Sequence, residues 1–225
     1  MFDVRNLQVR QGHRLDDKLS YLQIRAFLSK LANQVVQGKD RLNDLDAACG
    51  DGDFGTSMYV AFSNAQKAIQ ETHDGIGALL TSSGLSILSS AGGASGALFG
   101  TFFVEAGKQA KDKKEVDLAD LATMFDASLK KIQTRGAAKV GDKTLVDALE
   151  PAVTSLQEAD RAKSKLAPAL EKAATAAELG FESTKDLVGK HGKSRYLGEQ
   201  TLGHPDPGAY VMALIFRTLA GTQNV

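Results

Sequence analysis

Apolar residues recur at helical spacing along nearly the whole chain, and no stretch shows sustained period-2 alternation rich in β-branched residues. Ile24, Leu28, Leu31 and Val35 fall at i, i+4, i+7 and i+11, which is one face of a helix. Met58, Phe62, Ala65 and Ile69 repeat that pattern. Leu118, Leu121, Phe125 and Ile132 make a third stripe, in a helix whose first turn carries Asp117 and Asp120 and which stops at Gly136. A fourth stripe, Leu145, Leu149, Val153 and Leu156, contains Pro151, which predicts a kink there or a helix that begins at the proline. The Ala-rich stretch from Leu166 to Leu187 favours helix by propensity, and Ala209–Leu219 supplies the last one. The pattern predicts an all-α antiparallel bundle of roughly eight helices.

With 225 residues, this bundle has enough chain for a proper core. No internal repeat or Pro-rich linker divides it, so residues 1–16 read as a loose arm and residues 17–225 as a single domain. Lys plus Arg and Asp plus Glu both number 27, so no global basic field exists to gather nucleic acid. The N-terminus carries charges where a secretory leader needs an apolar stretch. The longest apolar run, near Ala209–Phe216, is far short of a bilayer span. Cys49 is the only cysteine, which rules out an intrachain disulfide and fits a cytoplasmic protein.

Glycines cluster in Cys49–Gly55, Gly92–Gly100, Arg135–Gly141 and Gly189–Gly208, each between predicted helices. In an up-and-down bundle, loops separated by two helices share an end, so these clusters can meet. The sharpest of them is LDAACGDGDFGTSM, in which Asp46, Asp51 and Asp53 stand at i, i+5 and i+7. Glycine tolerates positive φ and lets the backbone fold tightly between the acids. Two unit charges ~4 Å apart repel by roughly 4 kcal/mol at an effective dielectric of about 20. A hard divalent cation removes that cost, and Mg²⁺ commonly takes a few carboxylates together with phosphate oxygens. The helix starting near Gly55-Thr56-Ser57 would offer free N–H groups and hydroxyls to a phosphate.

Rival readings of this turn are weaker. Gly50, Gly52 and Gly55 match the dinucleotide fingerprint, but that motif needs a preceding strand and a βαβ unit. Phe62 stands where a calcium loop begun at Asp51 needs its closing glutamate. Gly192-Lys193-Ser194 resembles the tail of a P-loop, but Leu187 takes the place of its first glycine. A capped turn with no ligand remains the plain alternative.

The blocks LDAACGDGDFGTSM, SSAGGASGALFGTFF, RGAAKVGDKTLVDALEPA and SRYLGEQTLGHPDPGA, in that order, resemble the L subunit of dihydroxyacetone kinases. The resemblance runs from about Leu19 to about Leu219. It implies an eight-helix antiparallel barrel closed at one end by loops around ADP or ATP and two Mg²⁺. It further implies that Asp46, Asp51 and Asp53 hold the metals and that Phe54, Gly55, Thr56 and Ser57 form a turn facing the phosphates. Ala94 and Ser95 would contact the nucleotide, Gly136 and Leu145 would line the adenine side, Lys193 would meet the phosphates, and Asp206, Pro207 and Gly208 would close the site. Two positions depart from the family pattern. Phe54 replaces a usual histidine. Lys193 replaces an arginine and loses its bidentate fork, with Arg195 two residues on as a substitute. Spacing gives His191 and His204 no partner.

In the resembling family a separate K subunit binds the ketose covalently through a histidine. The chain is thus expected to be inactive without a K-type partner, and to occur alone or as a homodimer. ATP can be the consumed donor, or a resident ADP can be rephosphorylated by a phosphotransferase-system protein. The alternative function is a non-catalytic ADP-bound module that regulates a transcription factor or a kinase partner. No nucleic acid and no membrane enter either reading.

Overall fold

The computed structural model describes residues 17–90 and 93–224, the side chains of 93–95 and 223–224 excepted, so the expected arm at 1–16 lies outside the described residues. A short strand, β1 (Lys18–Ser20), leads into α1 (Tyr21–Gln37), α2 (Lys39–Ala47), α3 (Phe54–Gln70), α4 (Ile76–Ser90) and α5 (Gly93–Gln109). A second strand, β2 (Glu115–Asp117), precedes α6 (Leu118–Gly136), α7 (Val146–Arg161), α8 (Leu166–Ser183) and α9 (Pro207–Ala220). Eight of these helices close a ring, in which α1 packs on α3 and each helix from α3 to α9 packs on the next. Helix α9 returns to α1 and completes it, while the nine-residue α2 lies beside α3. The fold is therefore all-α, as the apolar periodicity predicts.

All four stripes face the interior. Leu31, Val35, Met58, Leu121, Ile132, Leu149 and Leu156 are fully buried, around an aromatic cluster in which Phe102 touches Phe103 and Phe125, and Phe125 touches Phe216. Capping follows the local sequence. Ser20 and Gln23 form a capping box on α1, Asp117 and Asp120 form another on α6, and Asp206 caps α9 with Pro207 at its first position. Helix α6 ends at Gly136, as expected.

Three features decide or correct the sequence reading. Helix α7 starts at Val146, so Pro151 sits in its second turn. Having no N–H, Pro151 leaves the Asp147 carbonyl without its i+4 donor. Gly180 of α8 packs against that carbonyl, where a Cβ would collide. Second, the glycines from Gly93 to Gly100 lie inside α5 instead of in a loop. The reason is packing: Cβ atoms on Gly84 and Gly100 would meet each other's carbonyl at 2.7 and 2.8 Å, so only glycine allows α4 and α5 to approach so closely. Third, β1 and β2 pair antiparallel, with Leu19 opposite Val116, a ribbon too short for alternation to reveal.

That ribbon marks one end of the bundle. There Tyr21 and Ile76 donate their N–H groups to the Lys114 and Lys113 carbonyls, which gathers the start of α1 and the α3–α4 and α5–α6 connections. The segment before α3, the start of α5, and the α6–α7 and α8–α9 connections belong to the other end.

Candidate functional site

The acidic turn is built by α2 and α3 together. Asp46 lies in the last turn of α2, and Asp53 immediately precedes α3. The Asp46 carboxylate accepts the N–H groups of Asp53 at 3.1 Å and Phe54 at 3.2 Å, so it ties the turn to the helix start. Gly52 takes φ +77, and a Cβ at Gly50 would run into the Asp46 carboxylate, so both glycines are needed to fold the acids together. Asp46, Asp51 and Asp53 each offer an oxygen, and these atoms lie within 4.8 Å of one another. Burial pushes the Asp46 carboxyl above the usual carboxylate range, helped by the Asp51 charge and opposed by the amide donors.

Lys193 completes this constellation. Its ammonium pairs with Asp51 and stands 3.4 Å from Asp53. The hydrogen bond from Lys193 holds Asp51 below the usual carboxylate range. Arg195 lines the same cavity but stacks its guanidinium on Tyr196, 4.6 Å from the ring centre, so Lys193 is the cation paired with the carboxylates. Three clustered acid oxygens suit a hard, oxygen-preferring cation, and the Lys193 ammonium demonstrates that positive charge is accommodated against two of them.

The carboxylates open onto a cavity of about 480 Å³ whose walls include Phe54, Ser57, Leu145, Lys193, Asp206 and Gly208. It continues past Leu98, Leu145 and His191 into a recess of about 340 Å³ with Ile132, Gly136, Ala138 and Val146 around it. One end of the combined space is thus acidic and polar, and the other is a mostly apolar slot. All four glycine-rich segments contribute to this end of the bundle.

The expected nucleotide residues divide three ways. Phe54, Ser57, Leu145, Lys193, Asp206, Pro207 and Gly208 line the larger cavity, and Gly136 and Leu145 line the recess. Gly55 and Thr56 face α2 instead. A Cβ on Gly55 would strike the Lys39 carbonyl, and the Thr56 N–H donates to Asn43 Oδ1 at 3.0 Å. The N–H groups of Phe54 and Thr56, expected to be free, are thus satisfied by Asp46 and Asn43, because a helix start needs partners for its orphan donors. Ala94 and Ser95 fall in the first turn of α5, with side chains outside the described residues. Phe54 contributes a buried ring that meets Phe99 edge-on, 6.5 Å between centres.

Several residues of the site had no sequence expectation. Asp142, Lys143 and Asp147 are all buried in the connection between α6 and α7 and the turn after it. Burial acts to raise the Asp142 carboxyl, but the Lys139 N–H, Lys190 and His191 outweigh it and hold it down at about 2. His191, without a partner by spacing, meets Asp142 at 3.1 Å. Asp147 accepts N–H groups from Gly141 at 2.6 Å and Thr144 at 2.7 Å, which folds the GDKT turn. The Asp206 carboxyl, which caps α9 through the Ala209 N–H at 2.7 Å, is pushed up to about 7 by burial, with Asp147 adding to the shift and Lys143 opposing it. The available signal was the GDKT block itself, with charged residues packed between a glycine and an apolar stripe.

Comparison with known proteins places this geometry in context. The model of the DAK2 domain matches residues 48–221. The ADP-binding subunit of PEP-dependent dihydroxyacetone kinase 1 from Listeria innocua is 36% identical over 88% of this chain and 94% of its own length. The ADP-binding subunit of the PEP-dependent dihydroxyacetone kinase from Escherichia coli is also 36% identical, over 90% of this chain and 97% of its own. Among solved structures, the dihydroxyacetone kinase of C. freundii in complex with AMP-PNP and Mg²⁺ superposes with a TM-score of 0.67 at 28% identity, over 88% of this chain and 33% of that one. No helix among the described residues is long and apolar enough to cross a membrane.

Proposed function

Because the chain belongs to the DAK2 domain family, we propose that it is the adenine-nucleotide-holding subunit of a dihydroxyacetone kinase, acting with a separate K-type subunit that carries the ketose. The observation that carries this reading is the continuity of an acidic mouth, where three carboxylate oxygens converge within 4.8 Å, with an apolar recess roomy enough for a base. Asp46, Asp51 and Asp53 would hold two Mg²⁺, which neutralise phosphate charge when bound. Asp46 is preset for this by its two amide donors, and Lys193 would turn its ammonium from the carboxylates to the phosphates. Leu98, Leu145 and Ile132 would take the adenine and exclude water from it, with Gly136 and the Asp206–Gly208 turn as the closing walls. Phosphoryl transfer is mainly positioning and charge neutralisation, so these residues need supply no nucleophile.

The names of the Listeria and E. coli relatives favour the phosphoenolpyruvate-dependent branch, in which ADP stays bound and a phosphotransferase-system protein recharges it, in the cytoplasm. Denaturing the purified protein and resolving the released nucleotides tests the site: ADP is expected, and neither release nor binding at millimolar ADP with Mg²⁺ refutes the reading. Turnover of dihydroxyacetone is expected only with a K-type subunit and the phosphoryl-donor protein. Robust turnover by this chain with ATP alone refutes the divided mechanism. The buried ring of Phe54, which offers no donor to a phosphate, favours a second reading as an ADP-bound regulatory module. Nucleotide binding with no turnover in the complete mixture would select it.

A further inference from the structure

Residues 184–206 leave the core after α8, carry Lys193 to the carboxylates and return at the cap of α9. The Gly203 N–H closes the neck of this excursion on the Lys185 carbonyl at 2.7 Å, so residues 185–203 form a compact loop with adjoining ends. Its regular structure is short 3₁₀ turns alone, Thr184–Asp186 at the neck and Ser194–Tyr196 and Gly198–Thr201 within. Such a backbone does not by itself fix the position of a long side chain.

Two consecutive residues of the α6–α7 connection hold the excursion at two points, one within the loop and one at its neck. Asp142 is 4% exposed and Lys143 is 1% exposed. The Asp142 carboxylate accepts the Lys139 N–H at 3.0 Å, takes the Lys190 ammonium at 3.1 Å and meets His191 at 3.1 Å. The Asp142 carbonyl accepts the Lys190 N–H at 3.2 Å, and the Lys190 ammonium also donates to the Gly141 carbonyl at 2.7 Å. Lys143 holds the neck. Its ammonium donates to the Thr184 carbonyl at 2.6 Å and to the His204 carbonyl, one on each flank of the neck. Charged groups at this depth persist when paired, and both are paired to the same excursion. Lys143 also holds φ +60, a left-handed conformation that surroundings must over-determine in a residue other than glycine.

We propose that Asp142 and Lys143 are positioning residues, a two-point clamp that sets Lys193 over the Asp51–Asp53 carboxylates and makes the 185–203 loop a fixed arm of the nucleotide site. This rests on the nucleotide reading above. Asp142 and Lys190 line neither cavity, so they isolate the positioning role from direct contact with a ligand, whereas Lys143 lines the larger cavity. Acting through Lys193, the clamp should be energetically coupled to it.

The test is a double-mutant cycle on the full chain, with ADP and Mg²⁺ titrated by calorimetry. Lys190→Ala is the main variant, because its side chain is exposed and its loss should not unfold the protein; Asp142→Asn is the second. Lys190→Ala and Lys193→Ala should each weaken binding about tenfold, and the double variant should be no weaker than Lys193→Ala alone. Additive losses, or no loss with Lys190→Ala, overturn the clamp. If the native chain binds no ADP, the nucleotide reading fails, and hydrogen exchange then decides the clamp by itself. Lys190→Ala should speed exchange across residues 186–203 and leave the helices unchanged, and unchanged loop exchange overturns the proposal.

Discussion

Helices α4 and α5 and the loops at the site both depend on glycine, but against different neighbours. Between the helices, Gly77 and Gly84 of α4 stand seven residues apart, as do Gly100 and Gly107 of α5, and each Cβ would meet backbone or side-chain atoms at the opposite helix. The neighbours there are backbone atoms with the Leu88, Val104 and Thr81 side chains, none of them charged, and the product is a close pair. At the site, Gly50 makes room for a carboxylate and Gly52 supplies a positive φ, so the product is a cluster of charges. The contrast shows that a glycine-rich segment carries no chemistry in itself. Its meaning comes from whether the residues between the glycines are apolar or acidic.

This contrast can be broken by experiment. The largest effect is expected in the helix pair. Gly84→Leu puts a side chain against the Gly100 carbonyl and the Val104 N–H, backbone that cannot swing aside, and should cost about 3 kcal/mol or more in denaturant unfolding. The loss should be the same with and without ADP and Mg²⁺, and a loss that ligand restores would make this pair part of the site. Next comes the ligand-linked gain. At a hundredfold excess over the dissociation constant, ADP with Mg²⁺ should stabilise the protein by about 2.7 kcal/mol. Asp53→Ala should abolish that gain in thermal melts and leave the protein in EDTA about as stable as before, because the Asp53 side chain makes no capping bond. Equal loss in both buffers would mean the aspartates are structural.

Asp46 should behave differently from Asp53, because it is both a candidate ligand and the acceptor for two amides. Asp46→Ala should cost about 1 kcal/mol even in EDTA. No loss there would remove the distinction between the two acids. The smallest effect is a slope with pH. Asp206 is pushed up to about 7 by burial, so the folded protein keeps a proton that the unfolded chain releases near pH 4. A group raised in this way makes stability fall as pH rises from about 4 to about 7. Asp206→Asn keeps a capping side chain and should flatten that decline, and an unchanged slope between pH 5 and 7.5 would show that the carboxyl is ionised throughout.

The helical stripes were legible because one residue in every three or four must face the core, whatever the partner helix is. Ile24 to Val35 and Met58 to Ile69 thus read directly as buried faces. The convergence of the acidic turn was legible because glycines between three aspartates let the backbone gather them within a few residues. The glycines from Gly93 to Gly100 were read as loop because propensity favours breakage, while the compensating helix α4 lies elsewhere in the sequence. Helix α7 passes through Pro151 for the same reason, since Gly180 of the next helix covers the carbonyl that the proline leaves free. Asp142, Lys143 and His191 remained silent because their partners are 41 to 61 residues away. Spacing along one segment cannot report such pairs.

Helix α9 has a consequence for the order in which the molecule is built. Its first turn is a wall of the cavity, and its far end reaches α1, where Thr218 bonds to Gln34 across 184 residues of sequence. Contacts that span so much chain are expected to form late, after the local helix pairs, because the long closure must be made before it is rewarded. The step that seals the hydrophobic ring is therefore the step that completes the pocket. A partly folded chain, still open between α8 and α1, would have its aspartates but no enclosed place for a ligand, so ligand capture can reward only the finished ring.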